Sequence, residues 1–170
     1  MELAGQAMTP TSAIIFSVFG GLWVVLAILS QRSSYPLFCL VPIGIAALLV
    51  VWSVSVARTR TQLAADERRR RNKIVMYASA FEGIALFVGA NILNNMGIAD
   101  QYLPLLAVIV GLHFLPFARY MPDWRYYPIS LTLIAIGMAG AVVPSPDIRA
   151  WFVGLSSALV LWTASIIALI

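Results

Sequence analysis

Charges in this chain come in clumps, and the uncharged intervals between them are long. Each is about the right size to cross about 30 Å of hydrocarbon at about 1.5 Å of helix per residue. Six such intervals occur: Pro10–Ser30, Pro36–Val56, Ile74–Met96, Gln101–Arg119, Pro128–Val143 and Ala150–Ile170, the fifth being the shortest. Only 11% of the residues are charged and 61% are hydrophobic, whereas a soluble domain carries about 25% charged residues. The expected fold class is therefore an all-α integral membrane protein. One transmembrane domain spans residues 1–170, as six transmembrane helices in a compact bundle.

Lys and Arg positions set the expected orientation. With the basic loop 57–73 in the cytoplasm, Arg58, Arg60, Arg68, Arg69, Arg70, Arg71 and Lys73 lie inside, with Arg119 and Arg125. Only Arg32 and Arg149 then fall outside. Six spans place both termini in the cytoplasm, and the expected location is a cell membrane crossed several times, of the bacterial inner-membrane kind. Residues Met1–Met8 contain Glu2 and no basic residue, so they lack the n-region of a signal peptide and the first span reads as a retained anchor. Tyr35, Tyr102 and Trp151 fall near the outer interface, and Trp52, Tyr77, Tyr120, Trp124, Tyr126 and Tyr127 near the inner one. Trp23 and Trp162 fall at depth and need packing partners.

Turn chemistry agrees with this frame. Thr9-Pro10 reads as a helix start. Gly97 reads as a C-cap ending the third span, and Asp100 opens the fourth, where negative charge suits the helix dipole. The segment Ala57–Lys73 places Asp66 before Arg70 and Glu67 before Arg71 at helical i,i+4 spacing, so it can extend a membrane helix into the cytoplasm. Arg68, Arg69, Arg70, Arg71 and Lys73 are candidates for holding anionic lipid headgroups, at about 1 kcal/mol per basic residue; topogenic charge alone is the plainer account.

Cys39 is the sole cysteine and His113 the sole histidine, so neither a disulfide within the chain nor a Cys/His zinc site of the usual kind is available. No phosphate-binding glycine loop, nucleophile elbow or zincin helix occurs. No cofactor, metal or nucleic acid is therefore expected, and the formal net charge of +4 is topological.

Two ionisable groups remain within the expected hydrocarbon, Glu82 and His113. A carboxylate at such depth costs about 2.5–3.5 kcal/mol on insertion scales, which protonation, a partner or a hydrated cavity must offset. Counting back from the turn near Ile98 and Ala99, the two lie at similar depth, within one helical turn. Pro116 has no N–H for the Leu112 carbonyl and crowds it, so an unpaired carbonyl is expected beside His113. The pair is the leading substrate or proton site, and it would titrate as one unit. Asn91 and Asn95, sharing a face at i,i+4, are read as a polar outer mouth above it, or as interhelical hydrogen-bonding groups.

Small residues recur at helical spacing in Ser17/Gly21, Ser79/Gly83, Gly137/Ala141 and Gly154/Ala158, a pattern that lets helices approach closely. "SVFGGL" from Ser17 resembles "SAFEGI" from Ser79, and the same offset carries Pro42 onto Pro104. Spans one and two would then repeat as spans three and four. The functional expectation is a transporter or channel-like protein for a small solute or ion. Its small size makes a homo-oligomer the expected assembly. The alternative is a non-catalytic scaffold or accessory subunit that packs through these stripes and binds lipid through its arginines. An enzyme comes third, since only Glu82 and His113 could act as acid and base.

Overall fold

A computed structural model describes residues 9–31, 36–57, 65–121 and 123–170. The described residues form six α-helices: α1 (Pro10–Leu29), α2 (Leu40–Ala57), α3 (Ala65–Asn95), α4 (Tyr102–Tyr120), α5 (Tyr126–Ala141) and α6 (Pro146–Leu169). Short 3-10 turns at Pro36–Cys39 and Ala99–Gln101 lead into α2 and α4. Five helices are long and apolar enough to cross a membrane; α5, at 16 residues, is the shorter apolar one. Arg32, Tyr35, Arg58 and Arg60 lie outside the described residues, as does the segment Met1–Met8.

Local chemistry starts and stops these helices. Thr9 caps α1 by accepting from the Ser12 N–H at 3.3 Å, with Pro10 in the first turn. Ser145 does the same for α6 through the Ile148 N–H at 3.5 Å, ahead of Pro146 and Asp147. The sixth helix therefore begins four residues before the expected Ala150; Ser-Pro-Asp is a start signal that the charge pattern overlooks. Gly97 ends α3 with φ +71°. Its N–H reaches the Asn94 carbonyl at 3.1 Å, and the Ile98 N–H reaches that of Leu93 at 3.0 Å. These two bonds make a Schellman cap. At its other end α3 starts at Ala65 instead of Ile74 and runs unbroken for 31 residues, so the basic segment continues the helix. The fifth helix is displaced towards its N-terminus, Tyr126–Ala141 in place of Pro128–Val143.

Successive helices alternate in direction. The starts of α1, α3 and α5 lie with the ends of α2, α4 and α6 at one end, the basic end. Helix α1 packs on α6 and α2, α4 packs on α5 and α3, and α5 and α6 join the two groups. The outcome is a central set of α1, α4, α5 and α6 flanked by α2 and α3. Burial follows this order: half of the apolar window in α1 and α6 is buried, but only 11% in α2 and 6% in α3.

The central contacts are made by small residues and serine hydroxyls. Gly154 sits against Ala27 and the Trp23 carbonyl of α1, and Gly137 against the Pro104 carbonyl and Val108 of α4. The Ser17 and Ser165 hydroxyl oxygens lie 2.8 Å apart, both within hydrogen-bonding distance of the Ala13 carbonyl, at 2.7 and 2.9 Å, so the two hydroxyl protons are shared among the three oxygens. Trp162 lies over Gly20 and donates from Nε1 to the Ser17 carbonyl at 3.2 Å, while Trp23 is fully packed, so both deep tryptophans have partners. The two halves of the suggested repeat differ in environment. Ser17 and Gly21 are packed, Gly21 against Ala46 and the Pro42 carbonyl, whereas Ser79 is exposed and Gly83 faces open space.

Candidate functional site

Helical phase gathers the site. On α3, Arg71, Val75, Ser79 and Glu82 fall on one stripe at spacings of four, four and three. On α4, Val110, His113, Phe114 and Phe117 do the same. The α3 stripe stands off α1, and the space between them is a cavity of about 610 Å³. It reaches from Thr9, Asn72 and Met121 at the basic end to Glu82 and His113 at depth. Along α3 the distance from Arg71 to Glu82 is eleven residues, about 16 Å.

Glu82 and His113 come together across the α3–α4 contact, with Nδ1 of His113 3.2 Å from Oε2 of Glu82. Their side chains are only 10% and 17% exposed for His113 and Glu82 respectively. The approach is close enough for an ion pair but is not lined up as a hydrogen bond, and Nδ1 of His113 has no hydrogen-bond partner. Ring packing explains the tilt. The imidazole stands edge-on to Phe117 at 4.8 Å and to Phe114 at 5.5 Å between centroids. These rings continue into an aromatic cluster. Phe16 of α1 lies 5.6 Å from Phe114, and Tyr126 of α5 stacks on Phe114 at 6.2 Å. Tyr126 also shares a 3.1 Å hydrogen bond with Ser12. One wall of the cavity is thus aromatic, and the acid faces it from α3.

Asn91 and Asn95 are placed elsewhere. Both are exposed, Asn91 donates to the Phe87 carbonyl of its own helix at 2.7 Å, and neither lines the cavity. An angle of half a turn separates them from Glu82 on α3, and the helix runs through Gly83 and Gly89 without interruption. Helix α4 continues through Pro116, and Ser130 of α5 donates at 2.7 Å to the Gly111 carbonyl, one residue before Leu112.

The basic run divides by phase. Arg69, Arg70 and Lys73 are exposed and line, with Asp66, Tyr77 and Tyr120, a surface groove of about 680 Å³. Arg71 is half-buried and faces the cavity instead. The Arg68 side chain lies outside the described residues. Arg119 rests on the Tyr120 ring at 5.9 Å, as an interfacial anchor would.

Two polar clusters were not legible beforehand. Arg149, expected in an outer loop, is 5% exposed. It contacts Asp100 and donates twice to the Val143 carbonyl, at 3.0 and 2.7 Å. With its amide turned, Gln101 also accepts from Arg149 at 3.0 and 3.2 Å. Asp100 thus serves Arg149 and not only the dipole of α4. At the basic end Asp123 is buried; one oxygen accepts from the Arg125 N–H at 3.0 Å and the other has no partner. The Arg149 cluster depends on how separate turns meet, which sequence spacing cannot flag; the Asp123–Arg125 contact is local, and what spacing does not reveal there is the burial of Asp123.

Among the described residues no group of three or more His, Cys, Asp or Glu could hold a metal ion. What the arrangement can do chemically is exchange a proton, or pair with a charged guest, at a carboxylate beside an imidazole in a largely apolar cavity. No protein-family model, curated protein or solved structure matches the chain.

Proposed function

We propose that this chain is a multi-pass integral protein of a cell membrane that carries a small solute past the Glu82–His113 pair. The reading rests on one observation above the others: the pair lies on the wall of a cavity of about 610 Å³, and its polar groups are incompletely satisfied within the protein. A pair serving only to fix the bundle gains most from full hydrogen bonding in a dry contact. The exposed apolar surfaces of α2 and α3 suit lipid. The positive-inside bias puts the basic end, the cavity mouth and both termini on the cytoplasmic side.

Flux into proteoliposomes under an imposed pH gradient tests this reading. Labelled monoamines, monocarboxylates and polyols serve as probes, with the parent chain compared with Glu82→Gln and His113→Ala. Gradient-dependent flux of at least one class is expected in the parent, slowed at least tenfold in both variants. No such flux in the parent, or unchanged flux in folded variants, overturns it.

A second reading, a scaffold without transport, is favoured by the open space at Gly83 on the sparsely buried α3. The groove lined by Arg69, Arg70 and Lys73 suits anionic headgroups. In that case substitution of Glu82 or His113 lowers thermal stability in detergent and moves no flux.

A further inference from the structure

We propose that the cavity takes amphiphilic monocations, and that each cation bound displaces one proton from the Glu82–His113 pair. This rests on the carrier reading and names the substrate class of the same site.

The charge pattern selects the sign. At depth the cavity presents one carboxylate and one imidazole, and Arg71 stands about 16 Å away along α3. An anion brought to the deep end meets the Glu82 carboxylate. A neutral guest leaves the pair as it was. A cation can take the place of the proton or imidazolium that otherwise neutralises Glu82. The wall selects the body. Phe16, Phe114, Phe117 and Tyr126 form one ring cluster that continues directly from His113. Aromatic faces attract an ammonium, most strongly when it is desolvated, and they also cover an apolar body. A volume of about 610 Å³ falls within the usual range for small organic guests, about 300–1,000 Å³.

The unpartnered Nδ1 of His113 accounts for the exchange. It lies 3.2 Å from the carboxylate without a hydrogen bond, so the proton shared by the pair is not locked there. Among the described residues the other ionisable groups facing the cavity are Arg71 and Tyr126, with Asp123 close behind Tyr126; α1, α2 and α6 contribute none. One carboxylate cannot neutralise two cations at once, so proton and guest are mutually exclusive.

The test uses purified full-length protein in detergent and three matched probes: benzyltrimethylammonium, its neutral carbon isostere neopentylbenzene, and 3-phenylpropanoate. Saturable binding of the ammonium is expected, with up to one proton released per cation into weakly buffered medium. Its affinity should rise by up to tenfold per pH unit while the pair is protonated, and fall at least tenfold in Glu82→Gln. Proton release from the parent needs no variant, so the test survives a variant that fails to fold. Equal competition by the neutral isostere, cation binding without proton release, or no binding of the ammonium overturns the proposal. Binding of phenylpropanoate that depends on Glu82 and His113 also overturns it while leaving the carrier reading intact. Absence of gradient-driven flux for every solute class in proteoliposomes defeats both.

Discussion

His113 and Glu82 stand 3.2 Å apart, Nδ1 to Oε2, without a hydrogen bond between them. Packing against Phe117 and Phe114 sets the imidazole plane, and the carboxylate approaches from another helix. His113 is the sole histidine, so its ring signals in an ¹⁵N-labelled sample report one site. Those signals should shift in Glu82→Gln relative to the parent under the same conditions, because the carboxyl 3.2 Å from Nδ1 is replaced by an amide. Unchanged signals would show that the groups do not interact.

Glycine contacts separate packed from unpacked stripes. A methyl added at Gly137 would fall 2.6 Å from the Pro104 carbonyl oxygen, a backbone atom that cannot turn aside. Gly137→Ala should therefore destabilise the α4–α5 contact by about 1–3 kcal/mol. Gly83 has nothing within 4 Å, so Gly83→Ala should be neutral or gain up to about 1 kcal/mol from helix propensity. Thermal unfolding in detergent reads both. Equal effects at the two positions would contradict the packing described.

The cluster around Arg149 ties the start of α4 to the α5–α6 turn. Its guanidinium is buried while the Asp100 side chain is 41% exposed, so the two ends of the pair should respond differently. Arg149→Ala removes the donors to Val143 and Asp100 and should cost about 2–3 kcal/mol. Asp100→Asn, at the wetter end, should cost under about 1 kcal/mol. A larger loss from the Asp100 substitution would place the strength of the cluster elsewhere.

Orientation is open to direct labelling. In a Cys39→Ser background, Met96→Cys on the far side of α3 should react with an impermeant maleimide in intact cells. Asn72→Cys, at the basic end, should react only after permeabilisation. The reverse pattern would invert the topology, and labelling of both from outside would deny that α3 crosses.

Distances along a helix were legible from the chain; angles around it were not. Rise per residue is fixed by backbone geometry, so charge spacing located the helices and put Glu82 level with His113. Thr9-Pro10 and Gly97 marked ends because their local chemistry needs no distant partner. Asn91 and Asn95 show where such reasoning stops. Their shared face was evident, but whether that face turned inward depended on the rotation of α3 against α4.

The sequence by itself determined an all-helical chain, the rough bounds of six apolar helices and the asymmetry of basic charge, because composition and helical rise are local properties. Only the tertiary structure decided which helices sit at the centre, that Arg71 leaves its neighbours to face the cavity, and that Arg149 is buried. Those outcomes follow from side chains meeting across helices distant in sequence: Ser17 with Ser165, Gly137 with Pro104, Glu82 with His113. Lateral packing balances many weak contacts at once, and no window of the chain contains that balance.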